Sequence, residues 1–171
     1  EASVIETDFG RVGCMICFDL NFDEIRNQYA QTRPDVLLFS SMYHGGLMQA
    51  YTAYRCRCHF VGAIAGLPSE IRNPLGEVIA NTTNYTDYVV ASVNLDCQIA
   101  HLDYNRDKIF ALKRKYGPDV SVHDPGLLGS VLITSETQDI SAKAMLEEFE
   151  IESLDDYLAR ALIHRNANLE L

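Results

Sequence analysis

The chain has 171 residues, 47% of them hydrophobic, enough apolar side chain to bury a core and too much for a disordered segment. Its formal charge of -10, from 24 acidic and 14 basic residues, excludes nucleic acid and anionic membrane surfaces as expected partners. Apolar runs such as 60–67 and 36–39 fall far short of the ~20 residues of a membrane helix. Five cysteines, an odd number with no regular framework, favour a reducing, cytoplasmic compartment.

In chain order, Val4–Thr7 and Arg11–Phe18 flank Asp8-Phe9-Gly10 and read as a β-hairpin. Asn21 followed by Glu24 reads as a capping box for a helix over 22–31, with Ile25, Tyr29 and Ala30 at helical spacing and Arg33-Pro34 as its stop. Val36–Ser41 is a buried strand. After Gly45-Gly46, the set Leu47, Tyr51, Tyr54 and Cys58 recurs every three or four residues and marks a second helix. Val61–Ala65 is the next strand, and Ser69–Arg72 pairs with Glu77–Ala80 around the Asn73-Pro74-Leu75-Gly76 turn. Tyr88–Leu95 is expected to close this sheet system. Beyond Asp96 the pattern loosens: Ile99–Leu112 reads as a helix and Lys113–Leu127 as an arm or loop. Ser153-x-x-Asp156 starts a last helix with Leu154, Tyr157, Leu158, Ala161 and Leu162 on one face, which needs a partner surface. Alternating β and α elements without a repeat place the chain in the α/β class.

The chemistry concentrates at Gly13-Cys14-Met15-Ile16-Cys17-Phe18-Asp19, where an apolar strand ends on a cysteine and a helix start follows. The carboxyl edge of an open α/β sheet is where ligands bind, and a nearby helix amino terminus helps to hold a thiolate. A buried structural role is the commonest one for a free cysteine, and Cys14, Cys56 and Cys97 are expected to fill it. Cys14 and Cys17 form a Cys-x-x-Cys pair, but residues three apart on a strand point to opposite faces, against a metal or redox role. Cys56-Arg57-Cys58-His59 has the atoms for zinc, yet it lies in a helical stretch with no second pair at knuckle spacing. Met42, Tyr43 and His44 follow the neighbouring strand and can wall the same pocket together with Ser41. Asp19 and Glu24 beside the helix start are simplest as caps.

The run Gly13…Cys17-Phe18-Asp19…Phe22…Glu24 resembles the nucleophile motif of the nitrilase superfamily, the carbon-nitrogen hydrolases, with Asn21 and Asp23 departing from the usual Arg and Pro. The likeness continues through Pro34–Ser41 and through Ser69-Glu70-Ile71-Arg72-Asn73-Pro74-Leu75-Gly76, similar to the family's Ser-x-Ile-x-Asp-Pro-x-Gly hairpin. True nitrilases carry Cys-Trp-Glu, so Cys17-Phe18-Asp19 resembles the amidase and carbamoylase branches.

The resemblance implies a four-layer α-β-β-α sandwich, of which this chain supplies an incomplete, carboxyl-terminal part over residues 1–130, with 131–171 as a helical extension. It implies Cys17 as the nucleophile and the Phe18 backbone N–H as an oxyanion donor, with Ser41, Met42, Tyr43 and His44 on the substrate. No metal or organic cofactor is implied. The family's general-base Glu and its Lys lie upstream of the cysteine; none of the sixteen residues before Cys17 is a lysine and the first residue is not Met, so the expectation is a piece of a longer protein, inactive alone. The implied reaction is hydrolysis of a small amide or carbamoyl compound through a thioester, in a homodimer or higher homo-oligomer. An N-acyltransferase, a glutamine amidase and an inactive nitrilase-like binding module are the alternatives.

Overall fold

A computed structural model describes residues 2–169. Two compact units divide between Leu95 and Asp96. In the first, a hairpin of β1 (Val4–Glu6) and β2 (Arg11–Ile16) is closed by the Thr7 N–H donating to the Gly10 carbonyl at 2.9 Å. There follow α1 (Asp23–Thr32), β3 (Val36–Ser41), α2 (Leu47–Cys56), β4 (His59–Ile64), β5 (Glu70–Arg72) and β6 (Val78–Asn81). They form one six-stranded sheet in the order β1-β2-β3-β4-β5-β6, parallel at β2-β3-β4 and antiparallel at the other pairings.

Two successive crossovers in the same direction put α1 and α2 on one face, since such connections keep one hand. Met15, Leu37, Phe39, Phe60 and Ile64 from the strands pack there with Tyr29, Ala53 and Cys56 from the helices. The opposite face carries Ile5 (63% exposed), Ile16 (66%) and Leu38 (42%) with exposed Cys14 and Ala63. This is an α layer on a β layer whose other side is apolar, buried at Val12 and Val36 and exposed at Cys14, Ile16 and Leu38, one α-β half of the expected four-layer arrangement. The α/β class holds.

Several local expectations are corrected. Residues Cys17–Asn21 form a 3-10 turn, so α1 starts one residue later than the Asn21-Glu24 box implies, with Phe22 as its N-cap. Helix α2 forms where expected but presents another face: Gln49, Thr52, Ala53 and Cys56 are buried, while Leu47 is 80% and Tyr51 45% exposed, and Cys58 lies beyond the helix. Cys14 is exposed rather than packed in the core, because its position in β2 points to the face opposite α1 and α2. Residues 88–95 form no strand, for no neighbouring strand offers them a ladder.

The second unit begins with β7 (Cys97–His101), which takes the first residues of the helix expected over 99–112. Tyr104 at φ 63 breaks the chain before α3 (Arg106–Tyr116), and β8 (Val120–His123) occupies part of the expected arm. With β9 (Ser130–Ser135) these strands make an antiparallel sheet in the order β7-β9-β8, and the middle strand straddles the 130/131 boundary drawn from the sequence. Helix α4 (Ala142–Glu148) and helix α5 (Leu154–Ala167) are capped by Ser141 and Ser153, whose hydroxyls accept the N–H groups of Ala144 and Asp156 at 3.2 Å. Ala100, Ile109, Leu112, Ile133, Met145 and Ile151 share one core. Buried Asn105 staples it by donating to the His101 and Glu152 carbonyls at 2.8 and 3.0 Å and accepting the Glu152 N–H at 3.1 Å.

Candidate active site

Strand β2 ends at Ile16, and the next residue, Cys17, adopts φ 48, a left-handed backbone that costs a non-glycine residue about 1–3 kcal/mol. The surroundings hold that turn. Asp19 accepts the Ile16 N–H at 3.2 Å, the capping role expected of it. Leu20 is fully buried, and its carbonyl accepts from the Arg26 Nη2 at 2.6 Å. Arg26, 1% exposed, also donates through Nε to the Thr52 hydroxyl at 3.2 Å, pairs with Asp23 and lies 5.0 Å from the Tyr51 ring centroid. One guanidinium thus ties the turn after the cysteine to both helices. Periodicity did not single it out, since a charged residue is not counted toward an apolar face, although its three-residue spacing from Tyr29 is the available signal.

Parallel pairing sets Ile16 opposite Ser40, so β3 ends beside Cys17. The Cys17 thiol is held below its ordinary range, first by the Ser41 hydroxyl and then by backbone N–H groups of Met42 and Phe18; burial and the Asp19 charge oppose this. Hydrogen-bond donors directed at the sulfur favour the thiolate over the thiol. Ser41 is itself polarised, because its oxygen accepts the Tyr43 N–H at 2.7 Å.

The expected wall residues separate into three kinds. Ser41 is buried and serves the thiol directly; Met42 contributes its backbone to the sulfur while its side chain is 80% exposed. The Tyr43 ring lies 6.3 Å from Phe18, which in turn meets Phe22 at 6.1 Å, and the Tyr43 hydroxyl donates to Asn21 Oδ1 at 3.2 Å. His44 has contacts of its own. Its Nδ1 accepts the Gly46 N–H at 3.1 Å and its Nε2 lies 3.9 Å from Glu70, whose other oxygen pairs with Arg72. Glu70 was read in the sequence only as part of the hairpin motif. Glu24 lies in the first turn of α1, as a favourable charge at that helix end.

Among the described residues no group of three or more His, Cys, Asp or Glu is placed to hold a metal ion, and no helix is long and apolar enough to cross a membrane. The arrangement suits nucleophilic attack by a thiolate, with the Phe18 N–H near the sulfur to receive developing negative charge.

Comparison with curated proteins finds no match. Among solved structures, the chain is similar to Nit3 of Saccharomyces cerevisiae, a member of branch 10 of the nitrilase superfamily. That likeness has 18% identity and a TM-score of 0.42, covering 48% of this chain and 36% of that one. It is also similar to the NitN amidase from Nesterenkonia sp. AN1, at 16% identity and a TM-score of 0.47 over 67% of this chain and 49% of that one. A third is XC1258 of Xanthomonas campestris, a CN-hydrolase superfamily protein with an arsenic adduct in its active site, at 17% identity, a TM-score of 0.40, and 48% and 39% coverage. The chain therefore spans less than half the length of each of these structures. Residues 1–98, more than half of the chain and including the Cys17 turn, match the family model described as carbon-nitrogen hydrolase. The chain belongs to the carbon-nitrogen hydrolase family.

Proposed function

We propose that the protein hydrolyses the carbon-nitrogen bond of a small amide or carbamoyl compound, with Cys17 as nucleophile. The observation that carries this reading is the left-handed Cys17 at the end of β2, its thiol held below the ordinary range by Ser41 and two backbone N–H groups. In the first step the Cys17 sulfur forms a bond to the carbonyl carbon and the oxygen takes up negative charge opposite the Phe18 N–H. The carbon-nitrogen bond then breaks, and ammonia or an amine leaves with a proton from a general acid. Water adds to the thioester, a base takes its proton, and the acid product departs as the thiol is restored. The family resemblance assigns the acid-base role to a Glu and a second oxyanion contact to a Lys, both ahead of the cysteine. Tyr43 and Phe18 would offer the substrate an aromatic wall, and Met42 a flexible apolar one.

Ammonia release is the test, measured on the full-length protein and its Cys17→Ala variant across primary amides, carbamoyl amino acids and glutamine. Release that disappears with the substitution, together with an acyl adduct on Cys17 in the mass spectrum, supports the reading. A folded protein that releases nothing from any compound overturns it.

A further inference from the structure

The loop between β3 and α2, residues 42–46, reaches the nucleophile through one backbone group, the Met42 N–H that supports the Cys17 sulfur. A loop holds such a donor in place only if its own backbone is fixed, and here two side chains do so by the same device. The Ser41 hydroxyl accepts the Tyr43 N–H at 2.7 Å, and His44 Nδ1 accepts the Gly46 N–H at 3.1 Å, each bridging two residues along the chain. Gly46 is also the N-cap of α2, its carbonyl accepting the Gln49 N–H at 3.3 Å. His44 therefore ties the loop to the start of that helix.

Two groups hold His44 in turn. Gln49, fully buried in α2, donates through Nε2 to the His44 carbonyl. Because Nδ1 accepts, the imidazole carries its hydrogen on Nε2, and Glu70 lies 3.9 Å from that nitrogen, a carboxylate that favours the hydrogen there. Glu70 is kept in place by Arg72, which also donates to the Gly76 carbonyl at 2.7 Å. The loop is locked as well against the turn after the cysteine. The Tyr43 hydroxyl donates to Asn21 Oδ1 at 3.2 Å, and Gly45, at φ 78, packs so closely on Leu20 that a Cβ would stand 2.3 Å from its Cδ2. A loop with this many fixed points presents its first N–H to the sulfur in one orientation.

We propose that His44 is a positioning residue for the nucleophile: its Nδ1, by accepting the Gly46 N–H, fixes the loop conformation in which the Met42 N–H meets the Cys17 sulfur. In this role the imidazole acts through the backbone rather than on the substrate. The proposal rests on the reading of Cys17 as nucleophile and adds to it a residue that keeps the thiolate supported.

The test is the pH midpoint of Cys17 alkylation by iodoacetamide, read by mass spectrometry on the full-length protein and its variants, with urea unfolding alongside to show that each is folded. His44→Phe keeps a ring and loses the acceptor, whereas His44→Asn loses the ring and keeps an oxygen that can accept the N–H two residues on. His44→Ala loses both and takes the place of His44→Phe if that variant does not fold. The expected result is a midpoint raised by roughly 0.5–1 in His44→Phe, as one donor at the sulfur loosens, and a midpoint in His44→Asn within about 0.2 of the unaltered protein. An unmoved midpoint in His44→Phe, or one raised equally in His44→Asn, overturns the proposal. Ammonia release is read separately. The expected midpoints without release from any amide leave the role of His44 standing and overturn the hydrolase reading; release with unmoved midpoints overturns the role of His44 alone.

Discussion

His59 opens β4 as the register partner of Val36, and only 5% of it reaches solvent. Burial pushes its pKa down to about 4 from an ordinary 6.5, and the charge of Asp35 only partly opposes this. The folded state therefore holds a neutral imidazole where the unfolded chain binds a proton. Because the folded value is the lower one, stability is fully present above the unfolded pKa and is lost as pH falls from about 6.5 to about 4. At 1.36 kcal/mol per pKa unit the whole effect is about 3 kcal/mol, and about 2 kcal/mol of it appears between about pH 7 and about pH 5. Urea unfolding at those two pH values, on the protein and on its His59→Leu variant, measures it. The unaltered protein should lose about 2 kcal/mol more than the variant over that interval, since the carboxylates common to both cancel in the comparison. Equal losses in the two proteins would refute the reasoning and show that His59 binds its proton as readily in the fold as in the unfolded chain.

Three further outcomes are expected. Iodoacetamide should label Cys17 ahead of the buried Cys56 and Cys58, and Ser41→Ala should raise the pH midpoint of that labelling, read by mass spectrometry; an unmoved midpoint removes Ser41 from the thiol's support. Gly62→Ala would place a methyl group 2.6 Å from Gln49 Oε1, a buried oxygen without a hydrogen-bond partner, and should cost about 1–3 kcal/mol in denaturant unfolding; a neutral effect would mean that Gln49 turns aside. Arg26→Met should cost about 2–4 kcal/mol, because the Leu20 carbonyl and the Thr52 hydroxyl lose their buried donor, and should slow Cys17 alkylation; full stability would show that the turn after the nucleophile stands without it.

The elements that sequence determined are those whose signals are local. The hairpin at Asp8-Phe9-Gly10, the two strand-helix-strand units, the Asn73–Gly76 turn and the Ser153 cap each depend on residues a few positions apart, and each forms where that chemistry places it. The position of Cys17 at a strand end was legible for the same reason.

What tertiary structure decided is what depends on a neighbour distant in sequence. Residues 97–101 became a strand because β9 offers them a ladder, while 88–95, richer in valine, have none. The buried face of α2 was fixed by packing on α1 and β4, which selected Gln49, Thr52, Ala53 and Cys56 over the more apolar Leu47 and Tyr51. Ser41 reaches the Cys17 thiol only because parallel pairing brings the ends of β2 and β3 side by side, and Arg26 is buried only because two helices close over it. Local propensity chooses the type of an element except where a distant partner overrides it, as β9 does at 97–101. Its register, its buried face and its hydrogen-bond partners come from which other surface removes it from water, and no short window of sequence contains that surface.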